Sequence, residues 1–377
     1  MSNETSVRIL NYFSDIEDPR IERNKRHKLI DILIIAICAV LCNADTWEDI
    51  EEFGHSKGEW FRKFLELPNG IPSHDTIRRL FIRLKPDQLQ ECFLSWVAAL
   101  RQHISKEVIS IDGKTARHSG DSLAGKAALH LVSAWANQNR LVLGQVAVDE
   151  KSNEITAVPQ LLEILEVRGC IVTLDAMGCQ KEITKEIQGR GADYVLALKG
   201  NQGLMHENVK LFLDDELSRE FKDIVHDAAV SVEKDHGRFE RREYYISSEI
   251  EWLEEKKDWA GLKSIGMVKA TREYQGKTSV ETRYYLTSLS ADAKEFARAV
   301  RAHWGIENSM HWVMDIAFRE DESRIRKDHS PQNFAVLRHI ALNLVGREKT
   351  LKRSVRGKRL KAGWDNGYLE RLLFGGG

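Results

Sequence analysis

Twice in this chain a short apolar run rich in β-branched residues stops on an aspartate and gives way to small residues. That repetition constrains the fold more than any other feature. The first stretch is Glu107–Thr115, EVISIDGKT, where Val108, Ile109 and Ile111 lead to Asp112 and then Gly113. The second is RGCIVTLDAMG, ending at Gly178, where Ile171, Val172 and Leu174 lead to Asp175. Runs of this length, closed by glycine turns, read as buried strands. Each delivers a carboxylate at its carboxyl end, where sheets covered by helices on both faces place their sites. One such aspartate could simply cap a turn. Two of them predict carboxylates converging on one metal.

The surrounding segments give the strands an order. Leu129–Trp135 and Leu141–Val148 are joined by the polar turn Ala136–Arg140 and read as an antiparallel hairpin. Thr156–Glu166 is helical with Pro159 in its first turn, Lys181–Gln188 is a helix stopped by Gly189, Tyr194–Leu198 is a strand, and Leu204–Asp214 is a further helix. Strand, hairpin, helix, strand, helix, strand, helix is the ribonuclease H-like order, an α/β arrangement whose first and fourth strands lie side by side. Residues 221–288 interrupt it with alternating segments at Ala229–Glu233, Arg242–Ser247, Ser264–Thr271 and Thr282–Leu286, a mainly β insertion.

Ahead of the first aspartate, residues 7–100 are helical. Leu29–Cys42 reads as a buried helix, since a membrane span needs ~20 apolar residues and the run Ile32–Cys42 is shorter. Thr46 and Ser73 are placed to cap the next helices, and Trp60–Leu67 and Gln88–Leu100 are also helical. The helix His74–Leu84 displays Arg78 and Arg79 away from its apolar face, so helix, turn and basic helix fit a DNA-reading module or a plain scaffold bundle. The five cysteines form no CxxC pair and argue against structural zinc. No secretory signal opens the chain, and a cytoplasmic protein is expected. A net charge of −1 hides separated basic clusters at Arg20–Lys28, Arg238–Arg242 and Arg347–Lys361. Such patches suit phosphate backbones, and the glycine turn carrying Arg238, Arg241 and Arg242 suits them best.

Ser290 is placed to cap a long helix, Ala291–Phe318, on which His303, Glu307 and His311 are spaced by four and share a face. A glutamate among two histidines and two tryptophans, on a helix with an apolar stripe, is expected to be at least half buried and to need a partner. A magnesium ion shared with the two aspartates would supply one. The spacing is not the HExxH of zinc proteases.

Asp112 in IDGKT, Asp175 in TLDAMG and Glu307 in HWGIEN resemble the D, D, E triad of insertion-sequence transposases. The chain is most similar to the ISAs-type, or H-repeat-associated, group through HDTIRRL, DEKSNEITAVPQLL, YVLALKGNQG, HGRFERR, HWGIENSMHWVMDIAFREDESRIR and NFAVLRHIALNL. Val300, His303 and Met314 stand where related transposases carry Tyr, Arg and Lys. The resemblance implies a helical associated domain over 1–102, a ribonuclease H-like mixed sheet with flanking helices over 103–218 and 289–346, a β-rich insertion over 219–288, and a basic C-terminal tail over 347–377. It implies cleavage at element ends and joining of the 3′-OH to target DNA, with two Mg²⁺ ions (Mn²⁺ able to substitute) on Asp112, Asp175 and Glu307. Hard cations prefer carboxylates to imidazole. Lys114, Lys199 and Asn201 would steady scissile phosphates, and His303 and His311 would orient Glu307 or touch DNA. The expected partners are double-stranded DNA (inverted repeats and target) and a second copy of the chain when paired ends are bound, with no membrane and a place at the nucleoid. Two other readings share these residues: a domesticated or inactive DNA-binding protein, and a Mg-dependent nuclease without strand transfer.

Overall fold

The computed structural model describes residues 9–120, 125, 127–148, 154–235 and 237–375. Six helices come first: α1 Ile9–Phe13, α2 Leu29–Leu41, α3 Trp47–Ser56, α4 Gly58–Phe61, α5 His74–Arg83 and α6 Pro86–Leu100. Thr46 caps α3 in a reciprocal capping box with Asp49, and the Ser73 hydroxyl accepts from the backbone N–H of Thr76 at the start of α5. Pro86 starts α6 two residues earlier than expected, since its missing N–H costs nothing in a first turn. The helix expected over Trp60–Leu67 shrinks to the single turn α4.

Then come β1 Val108–Thr115, β2 His130–Ala136, β3 Leu141–Val148, α7 Glu154–Glu163, β4 Ile171–Leu174, α8 Lys181–Gly189, β5 Asp193–Leu198 and α9 Leu204–Ser218. Four long strands follow, β6 Asp227–Asp235, β7 Arg238–Ser247, β8 Ser264–Tyr274 and β9 Lys277–Thr287. The chain closes with α10 Ala293–Ile306, a π turn over Glu307–His311, α11 Trp312–Phe318, α12 Ser330–Arg347, α13 Val355–Trp364 and α14 Asn366–Phe374.

Among the described residues, nine strands make one sheet, in the order β3-β2-β1-β4-β5-β9-β8-β7-β6. Strands β1, β4 and β5 are mutually parallel and β2 and β3 antiparallel, which is the ribonuclease H-like arrangement. The β-rich segment does not stand apart. Its last strand, β9, pairs antiparallel with β5, Val195 opposite Thr287 and Leu198 opposite Tyr284, so the core sheet runs on into it. α12 is buried along most of its length and stitches the helical layer to the sheet. Asn343 exchanges hydrogen bonds with both backbone groups of Val142 in β3 (2.8 and 3.0 Å), and Asn333 donates to the carbonyls of Phe81 and Leu84.

Four expectations change. β1 does not stop at Asp112, because β2 keeps pairing with it to Thr115. Gly113 therefore sits within a strand and not in a turn. A Cβ there would lie 2.5 Å from Glu154 Oε1 and 2.8 Å from His130 Nε2, so the glycine makes room for that buried pair. Helix α7 begins at Glu154, which leaves Pro159 inside it instead of in its first turn. The helix expected over Ala291–Phe318 is capped by Asp292, whose side chain accepts from the N–H groups of Lys294 and Glu295, and it is broken in two by the π turn. Finally, 347–377 is no basic tail. α13 and α14 pack back on the body, and Arg359 is buried with its guanidinium 3.9 Å over Phe318, donating to the carbonyl of Val40.

Candidate active site

Parallel pairing of β1 with β4 runs from Val108 opposite Ile171 to Ile111 opposite Leu174. The next residue on each strand is Asp112 and Asp175. Neighbouring strands lie about 4.8 Å apart, so the register alone sets the two carboxylates next to each other. Asp112 is largely buried and its pKa is pushed up to about 7, first by that burial, then by the charges of Asp175 and Glu307. Asp175 is steadied by its own loop: one carboxylate oxygen accepts from the backbone N–H groups of Met177 (2.9 Å) and Gly178 (3.2 Å).

Glu307 opens the π turn and is exposed, not half buried as its neighbours in sequence suggested. A straight helix would stack His303, Glu307 and His311 on one face, but the π turn inserts slack between them. His303 turns inward to Thr173 Oγ1 (3.0 Å), and His311 is buried with Nδ1 3.5 Å from Asp112 Oδ2. Burial pushes both imidazoles down to about 4, so both are neutral at pH 7. The two histidines thus lean on the aspartates' strands, while Glu307 faces solvent within electrostatic range of Asp112.

What holds α10 against those strands was missed by sequence reasoning. Thr173 donates to Ser110 Oγ (3.2 Å), which also accepts from Asn137 Nδ2 (2.9 Å) and donates to the carbonyl of Ala302 (3.2 Å). Ser110 and Thr173 each stand two residues before an aspartate, on the same face by the strand alternation. A polar residue inside each apolar run was the available signal. α10 comes so close here that Gly305 has no alternative: a Cβ would lie 2.1 Å from Asn137 Oδ1.

The remaining expected residues divide. Lys114 does not face a substrate: its ammonium sits between Asp315 (2.7 Å), Glu320 (2.7 Å) and Asp321 (3.6 Å). Burial disfavours that charge, yet Glu320 and Asp315 outweigh burial and hold it above the ordinary lysine value. Lys199 is exposed at the end of β5, and Asn201 just beyond donates to the carbonyl of Ala176 (2.8 Å), tying its turn to the loop behind Asp175. Arg238 and Arg242 line a cavity between the outer strands and α10, whereas Arg241, on the other face of β7, pairs with Glu243 (3.0 Å). Arg78 and Arg79 lie exposed on α5, where Asp75 pairs with both (2.7 and 3.6 Å).

Partly buried carboxylates side by side, just past the paired stretch of β1 and β4, suit a hard divalent cation by donor chemistry. Among the described residues, no three His, Cys, Asp or Glu side chains are closed into a metal cage as they stand. The charges of Asp175 and Glu307 both reach Asp112.

The chain matches two family models. The one described as "Transposase DDE domain" covers residues 103–344, and the one described as "DDE_Tnp_1-associated" covers residues 10–97. It is 39% identical over 375 residues to the "H repeat-associated putative transposase YhhI" of Escherichia coli (strain K12), spanning 98% of each chain. It is 46% identical over 285 residues to an "uncharacterized protein in dhlA 3'region" of Xanthobacter autotrophicus, spanning 74% of this chain and 94% of that one. A solved piggyBac transposase synaptic complex with hairpin DNA superposes at 10% identity with a TM-score of 0.44, over 98% of this chain and 78% of that one.

Proposed function

The chain belongs to the transposase DDE-domain family, and from that premise we propose that it cuts phosphodiester bonds at insertion-sequence ends and joins the freed 3′-hydroxyl to target DNA. Asp112, Asp175 and Glu307 are the catalytic carboxylates in this reading. The observation that carries it is the register that ends at Ile111 and Leu174, together with the burial, and after it the charges of Asp175 and Glu307, that lift Asp112 to about 7. A buried carboxylate held among other carboxylates needs a counter-charge to stay ionised at neutral pH.

The donor set suits two Mg²⁺ ions, with Mn²⁺ able to substitute. Bound there, divalent cations would activate water or a 3′-hydroxyl and stabilise the pentacovalent phosphoryl group and the departing oxygen. The protein's own part is positional. The N–H groups of Met177 and Gly178 fix Asp175, His311 leans on Asp112, and His303 with Thr173 and Ser110 keeps α10 in place so that Glu307 overhangs the strand ends. The exposure of Glu307 leaves that side open to a strand of DNA. Lys199 and Asn201, on the neighbouring turn, contact the scissile phosphate, and Arg241, Arg78 and Arg79 add exposed positive charge for duplex phosphates. The DNA partners are the element's inverted repeats and a target duplex, and two chains act together when two ends are cut. Among the described residues no helix is long and apolar enough to cross a membrane.

The test is cleavage of labelled element ends with Mg²⁺ or Mn²⁺. Asp112→Ala, Asp175→Ala and Glu307→Ala are each expected to lose on the order of 10³-fold in rate, in line with removing a single group that stabilises transition-state charge, with duplex binding little changed. Undiminished cleavage by any one variant removes that residue from the site. Cut ends that are never found joined to target DNA would make the chain a nuclease instead.

A further inference from the structure

We propose that the cavity between the outer strands of the sheet and α10 holds one unpaired DNA strand, its phosphates on arginines and its bases against aromatic rings. This rests on the transposase reading above and adds a second site to it. The cavity encloses about 980 Å³ and is walled by β7, β8 and β9 on one side and by Val300, Arg301, Trp304 and Asn308 on the other. That volume is at the upper end of small-ligand pockets, enough for a few nucleotides.

Strand alternation turns the charge toward the cavity. In β7, Arg238, Glu240, Arg242 and Tyr244 share the face that looks at α10. Cross-strand register continues the pattern, with Arg272 opposite Glu240 and Arg283 opposite Val268, beside Tyr244. Six cations line the walls: Arg238, Arg242, Arg272, Lys277, Arg283 and Arg301. Three carboxylates face them, and those three are shared. Glu240 takes Arg238 (2.5 Å), Arg242 (2.7 Å) and Arg272 (2.9 Å). Glu233 takes Arg301 (2.8 Å), and Glu281 takes Arg283 (2.8 Å) and Arg272 (3.3 Å). Burial alone would raise the Glu240 carboxyl, yet Arg272, Arg242 and Arg238 hold it below the usual range.

A guanidinium has five N–H donors, so sharing three carboxylates among five of them leaves donors over. At Arg242, one terminal nitrogen lies 3.2 Å from Glu233, is not aligned for a hydrogen bond and is buried at the floor of the cavity with no other partner. The glutamates therefore set the arginines in a fixed ladder without saturating them, which is what a backbone-tracking groove requires. The aromatic element is present as well. Arg283 lies 4.9 Å over the Trp304 ring, and Tyr274 is 51% exposed at the rim. Positive charge interleaved with stacking surfaces is how proteins hold unpaired strands without reading sequence. The lining includes Asn308, the neighbour of Glu307 in sequence, so one wall of the cavity adjoins the turn that carries the glutamate.

The test compares a fluorescein-labelled ten-nucleotide single strand with the element-end duplex, by anisotropy over a range of salt, using the full chain. The double variant Arg272→Gln/Arg283→Gln is expected to bind the single strand roughly tenfold more weakly, about 1.4 kcal/mol. Its salt dependence should become shallower by about 0.7 for each phosphate that the variant leaves unneutralised, with duplex affinity unchanged. In the unaltered protein, an iodouracil-substituted single strand should photocross-link to Trp304 or Tyr274. Equal weakening toward duplex and single strand, unchanged single-strand affinity, or cross-links confined to other elements would overturn the proposal while leaving the transposase reading standing. Failure of the unaltered protein to bind or cut element ends would instead sink that reading, and this one with it.

Discussion

Two clusters of charge flank the paired aspartates, built from the same residue types and arranged in opposite ways. On one side Lys114, Glu320 and Arg338 are closed in, with the Lys114 side chain 15% exposed and those of Glu320 and Arg338 5% each. On the other side the arginines of the cavity grade outward, from Arg242 at 12% through Arg272 and Arg283 at 32% to Arg301 at 44% and Arg238 at 49%. A cation shut in among carboxylates is committed to the fold. One left half in water keeps a hand free for a ligand. Lysine or arginine density along the chain does not distinguish the two, because the distinction depends on which carboxylates the fold brings up and how much water it leaves.

The sharpest way to break that contrast is Lys114→Met. It leaves Glu320, Asp315 and Asp321 facing one another without their shared cation, and removing one partner of a buried ion pair typically costs ~3–5 kcal/mol. Urea denaturation reads it out. A loss no greater than that for a cavity arginine would mean the two clusters are alike after all.

A second, smaller effect comes from protons. His303, His311 and His339 are each pushed down to about 4 by burial. An unfolded chain takes up those protons near pH 6.5. Between pH 6.5 and 4 the unfolded state therefore binds more protons at these sites, and stability falls as pH is lowered. Asp112, pushed up to about 7, opposes this, since there the folded state is the one that holds a proton. Three groups outweigh one, so metal-free protein should lose stability on acidification across that window. His339→Asn, on the closed side, should make that slope shallower. An unchanged slope in that variant would show that His339 is not held neutral by the closed cluster.

The smallest expected change is Arg301→Ala. Its pairing with Glu233 is about as exposed on one partner as on the other, and such pairs contribute at most ~1 kcal/mol. A thermal melt should move by only a few degrees. A collapse comparable to that of Lys114→Met would put the open ladder among the structural elements of the fold.

The strands leading to Asp112 and Asp175 were legible because their signal is local: an apolar run and a carboxylate within a few residues, even though β1 runs on past Asp112. Their neighbourhood was legible as well, since the order of strands and helices fixes which strands lie side by side. Lys114 was not, because its partners stand about two hundred positions later and nothing near IDGKT announces them. The break at Glu307 was not legible either, since helical periodicity cannot show where a backbone bond skips to the fifth residue. The sequence over 347–377 looked like a charged tail because Arg359 counts as surface by composition, and only packing on Phe318 makes it a core residue.

The sheet has a mechanical consequence. Since β9 is bonded directly onto β5, and β5 onto β4, no flexible joint separates the outer four strands from the strand that leads to Asp175. Whatever grips the far edge is therefore tied, through an unbroken ladder of backbone hydrogen bonds, to the strand that leads to Asp175, so a pull at the periphery is transmitted sideways as leverage.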